Sequence, residues 1–163
     1  MATRSTLGYI DSKGEFRGTY INFDGMDLER NAAERFETEG YPALVQWIDA
    51  GIAGGGYSSV DDTEPYGEGM TSPVTASEYF GSRMLEFAVV IWDHGARSLE
   101  EHLFMKLKAD RAFAACYNEA ARGVDYRTPA VMYARTRELA KVLYADEPEL
   151  RDAVVAEVNR RMG

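Results

Sequence analysis

The stretch Met84-Leu-Glu-Phe-Ala-Val-Val-Ile-Trp92 constrains the fold most. Its apolar run is nearly continuous, which is the pattern of a central strand covered on both faces. Such a strand needs neighbours to hydrogen-bond, and the first 25 residues supply them. Residues 6–11 and 16–23 flank Ser12-Lys13-Gly14, a turn that carries glycine where a positive φ is wanted. The expected sheet is small and antiparallel, with strands over 6–11, 16–23 and 84–92, and Trp92 is expected to be buried at the end of the most apolar strand.

Helical spacing accounts for most of the rest. Asp27 can cap a helix that runs to Glu39 and stops at Gly40, with Leu28, Ala32 and Phe36 on one stripe. Pro42 suits the first turn of a second helix over 42–50, whose buried face is Leu44, Val45, Ile48 and Ile52, with Gly51 as its stop. Ser98 and Glu101 form a capping box that opens a helix to about Arg122. Its inner face is Leu99, Leu103, Leu107, Phe113, Tyr117 and Ala120. Thr128-Pro129 opens the next helix, with Val131, Leu139, Val142 and Leu143 on its core side. Asp146-Glu147-Pro148-Glu149 opens the last, with Leu150, Val154, Val158 and Met162 at four-residue spacing. The fold class that follows is α+β, a small sheet packed with helices and completed by a C-terminal three-helix group. At 163 residues the chain is expected to be one domain, with a sheet-containing part over 1–95 and a helical part over 96–163.

Between Gly54 and Ser77 periodicity is lost. Gly54-Gly55-Gly56 leads into Asp61, Asp62, Glu64 and Glu68, punctuated by Pro65 and Pro73. A segment of this length reads as a mobile acidic surface loop. The glycines lack the Lys-Ser/Thr of a phosphate-binding loop. The net charge of −9 works against nucleic-acid backbones, which are bound by Lys and Arg. The basic residues of the C-terminal half (Arg122, Arg127, Arg135, Arg137, Lys141, Arg151, Arg160 and Arg161) are interleaved with acids and read as a solvated mixed surface. The lone Cys116 allows no intramolecular disulfide and reads as a small buried hydrophobe. No apolar run approaches the length of a membrane span, and there is no secretory leader pattern, so a cytoplasmic protein without membrane contact is expected. No cofactor or metal is expected. His94 follows a strand and reads as a turn residue, and His102 is expected on an exposed helix side. Adjacent acids such as Asp61-Asp62 and Glu100-Glu101 diverge in direction and form no acid/base pair.

One polar constellation remains. Arg4, Ser5, Tyr20, Asn22 and Asp24 fall on two strands that should be neighbours. Arg4 can pair with Asp24 across the hairpin, or it can present its fork to a carboxylate or phosphate. With Asp61, Asp62 and Glu64 of the acidic loop, these are the candidate binding residues. No catalytic residue is assigned.

The same N-terminal stretch resembles a family of phage and prophage accessory proteins. Those proteins open Thr-Arg-Ser, turn at a glycine and end a second strand with an aromatic residue followed by Asp-Gly, here Phe23-Asp24-Gly25. The likeness covers residues 1–25 well and 26–60 loosely. Relatives end the second strand His-Trp-Asp-Gly-Tyr-Pro; here Asn22 and Phe23 replace the His and Trp. The resemblance implies no activity, and the loss of that His weighs against histidine chemistry. It implies a protein of a bacterial host's cytoplasm that acts by binding a host protein and can counter or redirect a host process. Homo-oligomerisation is left open. The alternative is a small-molecule or nucleotide-binding protein that uses the same hairpin, with a hydrolase further behind.

Overall fold

The computed structural model describes residues 3–123 and 128–163, so Met1, Ala2 and Arg127 lie outside the described residues. It divides into two units, residues 1–102 and residues 103–163. Strands β1 (Ser5–Ile10) and β2 (Phe16–Ile21) form the expected hairpin. Gly14 takes a φ of 80° in its turn, and Asp11 Oδ1 accepts from the backbone N–H groups of Lys13 and Glu15. The chain then makes α1 (Leu28–Glu39) and α2 (Tyr41–Gly54), and Gly40, with φ 83°, separates them. After a long loop and a short helix α3 (Ala76–Gly81) come β3 (Phe87–Trp92) and β4 (Gly95–Ser98).

The α+β class holds, but the sheet is mixed rather than antiparallel. Its order is β2-β1-β3-β4. β3 runs parallel to β1, with Ser5 opposite Phe87 and Tyr9 opposite Ile91, while β4 returns antiparallel through an Asp93-His94 turn. The cause is the crossover: helices intervene between β2 and β3, so the chain re-enters the sheet beside β1 in β1's own direction. The strand also begins later than its apolar run. Glu86 N–H donates to Arg4 O, and the ladder starts at Phe87.

One sheet face carries Leu7, Ile21, Val89 and Ile91. These pack with Leu28 and Ala32 of α1 and Leu44, Trp47, Ile48 and Ile52 of α2 into one buried cluster. α1 lies against β3 and β4, and α2 against β1 and β2. On the opposite face Gly8 and Gly18 are cross-strand partners, and the buried Phe16 ring fills the space their side chains would take. Trp92 corrects an expectation. It is half-buried, with the Arg97 guanidinium 3.9 Å from its ring centre and His94 edge-on at 5.0 Å. It ends β3, where the sheet meets the Asp93-His94 turn, and it lies outside the core cluster. His102 is half-buried too, and its Nδ1 accepts from Arg97 Nε at 3.1 Å.

Helix α4 (Leu99–Ala121) starts where expected, with Glu101 N–H donating to Ser98 Oγ, and the unit boundary falls within it. The second unit also holds α5 (Pro129–Leu143) and α6 (Pro148–Met162). Its core joins Phe113 and Cys116 of α4, Ala140 of α5, and Leu150, Val154 and Val158 of α6. Burial pushes the Cys116 thiol up, as for an inert core thiol. Leu107, Val131, Val142 and Leu143 are exposed, contrary to the apolar pattern. In α5 the buried stripe is Met132, Thr136 and Ala140, one position round from the expected one. Thr136 tolerates burial because its hydroxyl donates to Met132 O at 2.7 Å.

At the end of α6, Glu157 accepts from Arg160 Nε and Nη2 and from Arg161 Nε. These bonds, Arg160's above all, hold its carboxyl down at about 2. A carboxyl depressed in the fold stabilises it above the unfolded value near 4.5 and loses that contribution as pH falls towards 2. Screening at the exposed arginines limits the effect to about 1 kcal/mol. Glu157→Gln is therefore expected to lower the melting temperature at pH 7 and to lower it much less at pH 2, where the folded carboxyl is half protonated. Paired thermal melts at the two pH values check this.

Candidate functional site

The chain after α2 builds the site. Gly55 ends α2 in the left-handed region, φ 88°, and Gly56 follows at φ 96°. With Gly54 they let the loop lie flat on the helix end. Tyr66 N–H donates to Gly56 O, and Gly67 N–H to Gly54 O. A side chain at Gly54 would strike Pro65, and one at Gly55 would strike Glu68 O at 2.4 Å. The glycine run is thus a close-packing device, not a phosphate cradle. The expected mobile loop is instead tied down along its length. Val74 exchanges two backbone hydrogen bonds with Gly18 on the edge of β2, and Tyr57 bridges the same edge at Ile21. Thr75 and Glu78 form a capping box that starts α3. This Thr-x-x-Glu signal is plain in the sequence and was hidden by reading 54–77 as one loop.

These segments enclose a cleft of about 850 Å³. Arg4 and Tyr20 come to it from the hairpin. Tyr66, Glu68 and Met70 form one wall, Ser77 and Glu78 of α3 another, and Val74, Met84 and Leu85 supply apolar surface. Tyr66, Met70 and Met84 are about half exposed. Among the described residues Arg4 is the only basic one lining the cleft, and its Nη1 reaches Met84 Sδ at 3.5 Å rather than a carboxylate. Desolvation raises the Tyr20 phenol, against the opposing pull of the Arg4 charge. Tyr20 Oη donates to Asn22 Oδ1 at 3.1 Å.

The sequence-derived candidates therefore separate. Arg4 and Tyr20 meet in the cleft, and Asn22 touches Tyr20 from outside it. Ser5 is buried and donates to Thr3 O. Asp24 takes no part in an ion pair with Arg4. Its Oδ1 accepts from Asn31 Nδ2 and Ser59 Oγ, and its Oδ2 from Val60 N–H at 2.7 Å, so it pins the 58–62 turn to α1. Asp62 serves the same turn: its carboxylate accepts from Ser59 N–H and its carbonyl from Trp47 Nε1 at 2.8 Å. Arg35 donates to Val60 O and lies 4.4 Å from the Trp47 ring centre. Asp61 and Glu64 are exposed beside this turn and line no part of the cleft.

The arrangement offers one unneutralised guanidinium beside apolar and aromatic surface, which suits an anionic group on an apolar body. Among the described residues, no group of three or more His, Cys, Asp or Glu is placed to hold a metal. None of the described helices is long and apolar enough to cross a membrane.

The chain matches no protein-family model, no curated protein and no solved structure. What the protein does must therefore be argued from its own cleft. Sequence reasoning missed Tyr66, Met70, Met84 and Leu85. Single exposed apolar residues in irregular segments carry no periodic signal, and the Met84-Leu85 pair was absorbed into a strand.

Proposed function

We propose that this protein acts by binding a partner protein, through the Arg4–Tyr20 cleft. The observation that carries this reading is Arg4 itself. Among the described residues it is the cleft's only cation and has no carboxylate ion-pair partner, and it stands on a rim of exposed Met70, Met84 and Tyr66. Methionine rims adapt to varied side chains, and a free Arg supplies orientation. The resemblance of residues 1–25 to phage accessory proteins supports a host protein as the partner.

Affinity capture from a bacterial lysate, read by mass spectrometry, tests the reading. Arg4→Ala is expected to weaken capture by about 2 kcal/mol or more while leaving the thermal melt nearly unchanged, because Arg4 is exposed. Charge reversal at Asp61 and Glu64 is expected to change only the association rate and its salt dependence. Arg4→Ala that unfolds the chain, with normal capture by the folded fraction, makes Arg4 a structural residue. Capture unchanged by Arg4→Ala removes the cleft from the interface. The cleft volume also supports a second reading, a small-molecule carboxylate or nucleotide, since it falls within the roughly 300–1,000 Å³ of ligand pockets. A melt shift with the lysate's small-molecule fraction, lost in Arg4→Ala, favours that one.

A further inference from the structure

We infer that the cleft takes the free C-terminal carboxylate of an apolar chain end of another protein; this rests on the protein-binding reading above. Two donors bear on it. The first is the Arg4 guanidinium, whose reach ends on a thioether instead of an acid. The second is the Tyr20 backbone N–H. Tyr20 O accepts from Tyr57 N–H on the outward side of β2, and in a strand the N–H of a residue faces the same side as its carbonyl. Val74 occupies that edge at Gly18 and Tyr57 at Ile21. Tyr20 N–H therefore lies between two bridges, on the stretch where Tyr20 and Val74 line the cleft, and no described backbone group accepts its hydrogen.

Charge selects the terminus over an acidic side chain in an acidic segment. Among the described residues the cleft sets Arg4 against Glu68 and Glu78, in a chain of net charge −9. A run of acids would be repelled, whereas an apolar chain end brings a single negative charge. A terminal carboxylate is also attached directly to its backbone and can approach a strand-edge N–H, from which a Glu side chain stands off. Met70, Val74, Met84 and Leu85 then receive the last apolar side chains.

The test is fluorescence anisotropy with three labelled hexapeptides, all ending Leu-Met-Phe. One has a free terminal carboxylate, one a terminal amide, and one an amide with the carboxylate moved to an internal Glu. The free acid is expected to bind the full chain at least about ten-fold more tightly than the other two, a preference that disappears in Arg4→Gln. Met70→Ser, which adds no charge, is expected to weaken all three alike and so to test the apolar wall separately from the charge. Equal binding of acid and amide overturns carboxylate recognition. Equal binding of the internal Glu peptide overturns the terminal assignment. Binding unchanged by Met70→Ser overturns the apolar wall, and no binding of any peptide overturns the inference as a whole. If lysate capture still depends on Arg4 in that last case, the protein-binding reading stands; if capture ignores Arg4, that reading falls whatever the peptides do.

Discussion

Trp47→Ala is expected to cost about 3–5 kcal/mol, the largest loss of any single truncation in the first unit. Trp47 is 8% exposed, and its ring stacks on that of Tyr57 at 3.8 Å and 7°. Its indole N–H is bonded to Asp62 O, and Arg35 covers its other side. Tyr57 in turn donates its hydroxyl to Trp47 O at 2.7 Å. Truncation leaves a cavity, strips the indole donor from Asp62 O, which keeps only the 3.5 Å contact from Arg35 Nη1, and uncovers the guanidinium. Trp47→Phe keeps one aromatic ring for the stack but loses the N–H bond and some core volume, and is expected to cost about 1–2 kcal/mol, less than Trp47→Ala. Trp92→Ala, at a half-buried ring held mainly by Arg97, is expected to cost less than Trp47→Ala. Urea denaturation of the three variants orders them. Equal losses at the two tryptophans would mean that the core is wrongly placed.

Gly55→Ala is expected to lower stability by roughly 2–4 kcal/mol and to abolish ligand capture in whatever fraction stays folded. Left-handed backbone costs an L-residue roughly 1–2 kcal/mol, and the clash adds a similar amount. The added Cβ would stand 2.4 Å from Glu68 O, so the 66–70 wall must move away from the helix end. Gly67 provides the control. Its φ of 79° is of the same kind, but nothing lies within 4 Å of its Cβ position. Gly67→Ala is expected to carry the backbone cost alone, about 1 kcal/mol, and to leave capture intact. Thermal melts with capture assays on both variants separate strain from displacement. Equal capture by the two would mean that the wall does not form the contact.

Helix positions and the hairpin were legible because periodicity, caps and turn glycines are local signals. Leu28, Ala32, Leu44 and Ile48 lie where their spacing puts them. Pairing direction was not legible: nothing in the apolar run ending at Trp92 says which side of β1 it joins, or in which sense. β4 escaped notice because four residues starting at Gly95 carry little strand pattern and merge with the Ser98 cap. For the site, Arg4 and Tyr20 were readable as polar residues on adjacent strands. Asp24 and Asp62 were not distinguishable from ligand-facing acids, since a carboxylate that pins a turn and one that meets a partner look alike until its donors are known.

The parallel β1–β3 ladder also sets a timetable. β1 can close on β2 as soon as the hairpin is made, and α1 and α2 can settle over that pair through short connections. The partner for β1's other edge lies as far along the chain as Phe87. Closing so long a loop is slow even where its thermodynamic cost is modest. During synthesis β1 is thus an open edge, sticky towards other strands, until residues 87–92 arrive. A chain truncated before that point keeps the hairpin and both helices and is expected to aggregate, whereas one truncated after Ser98 has its sheet complete.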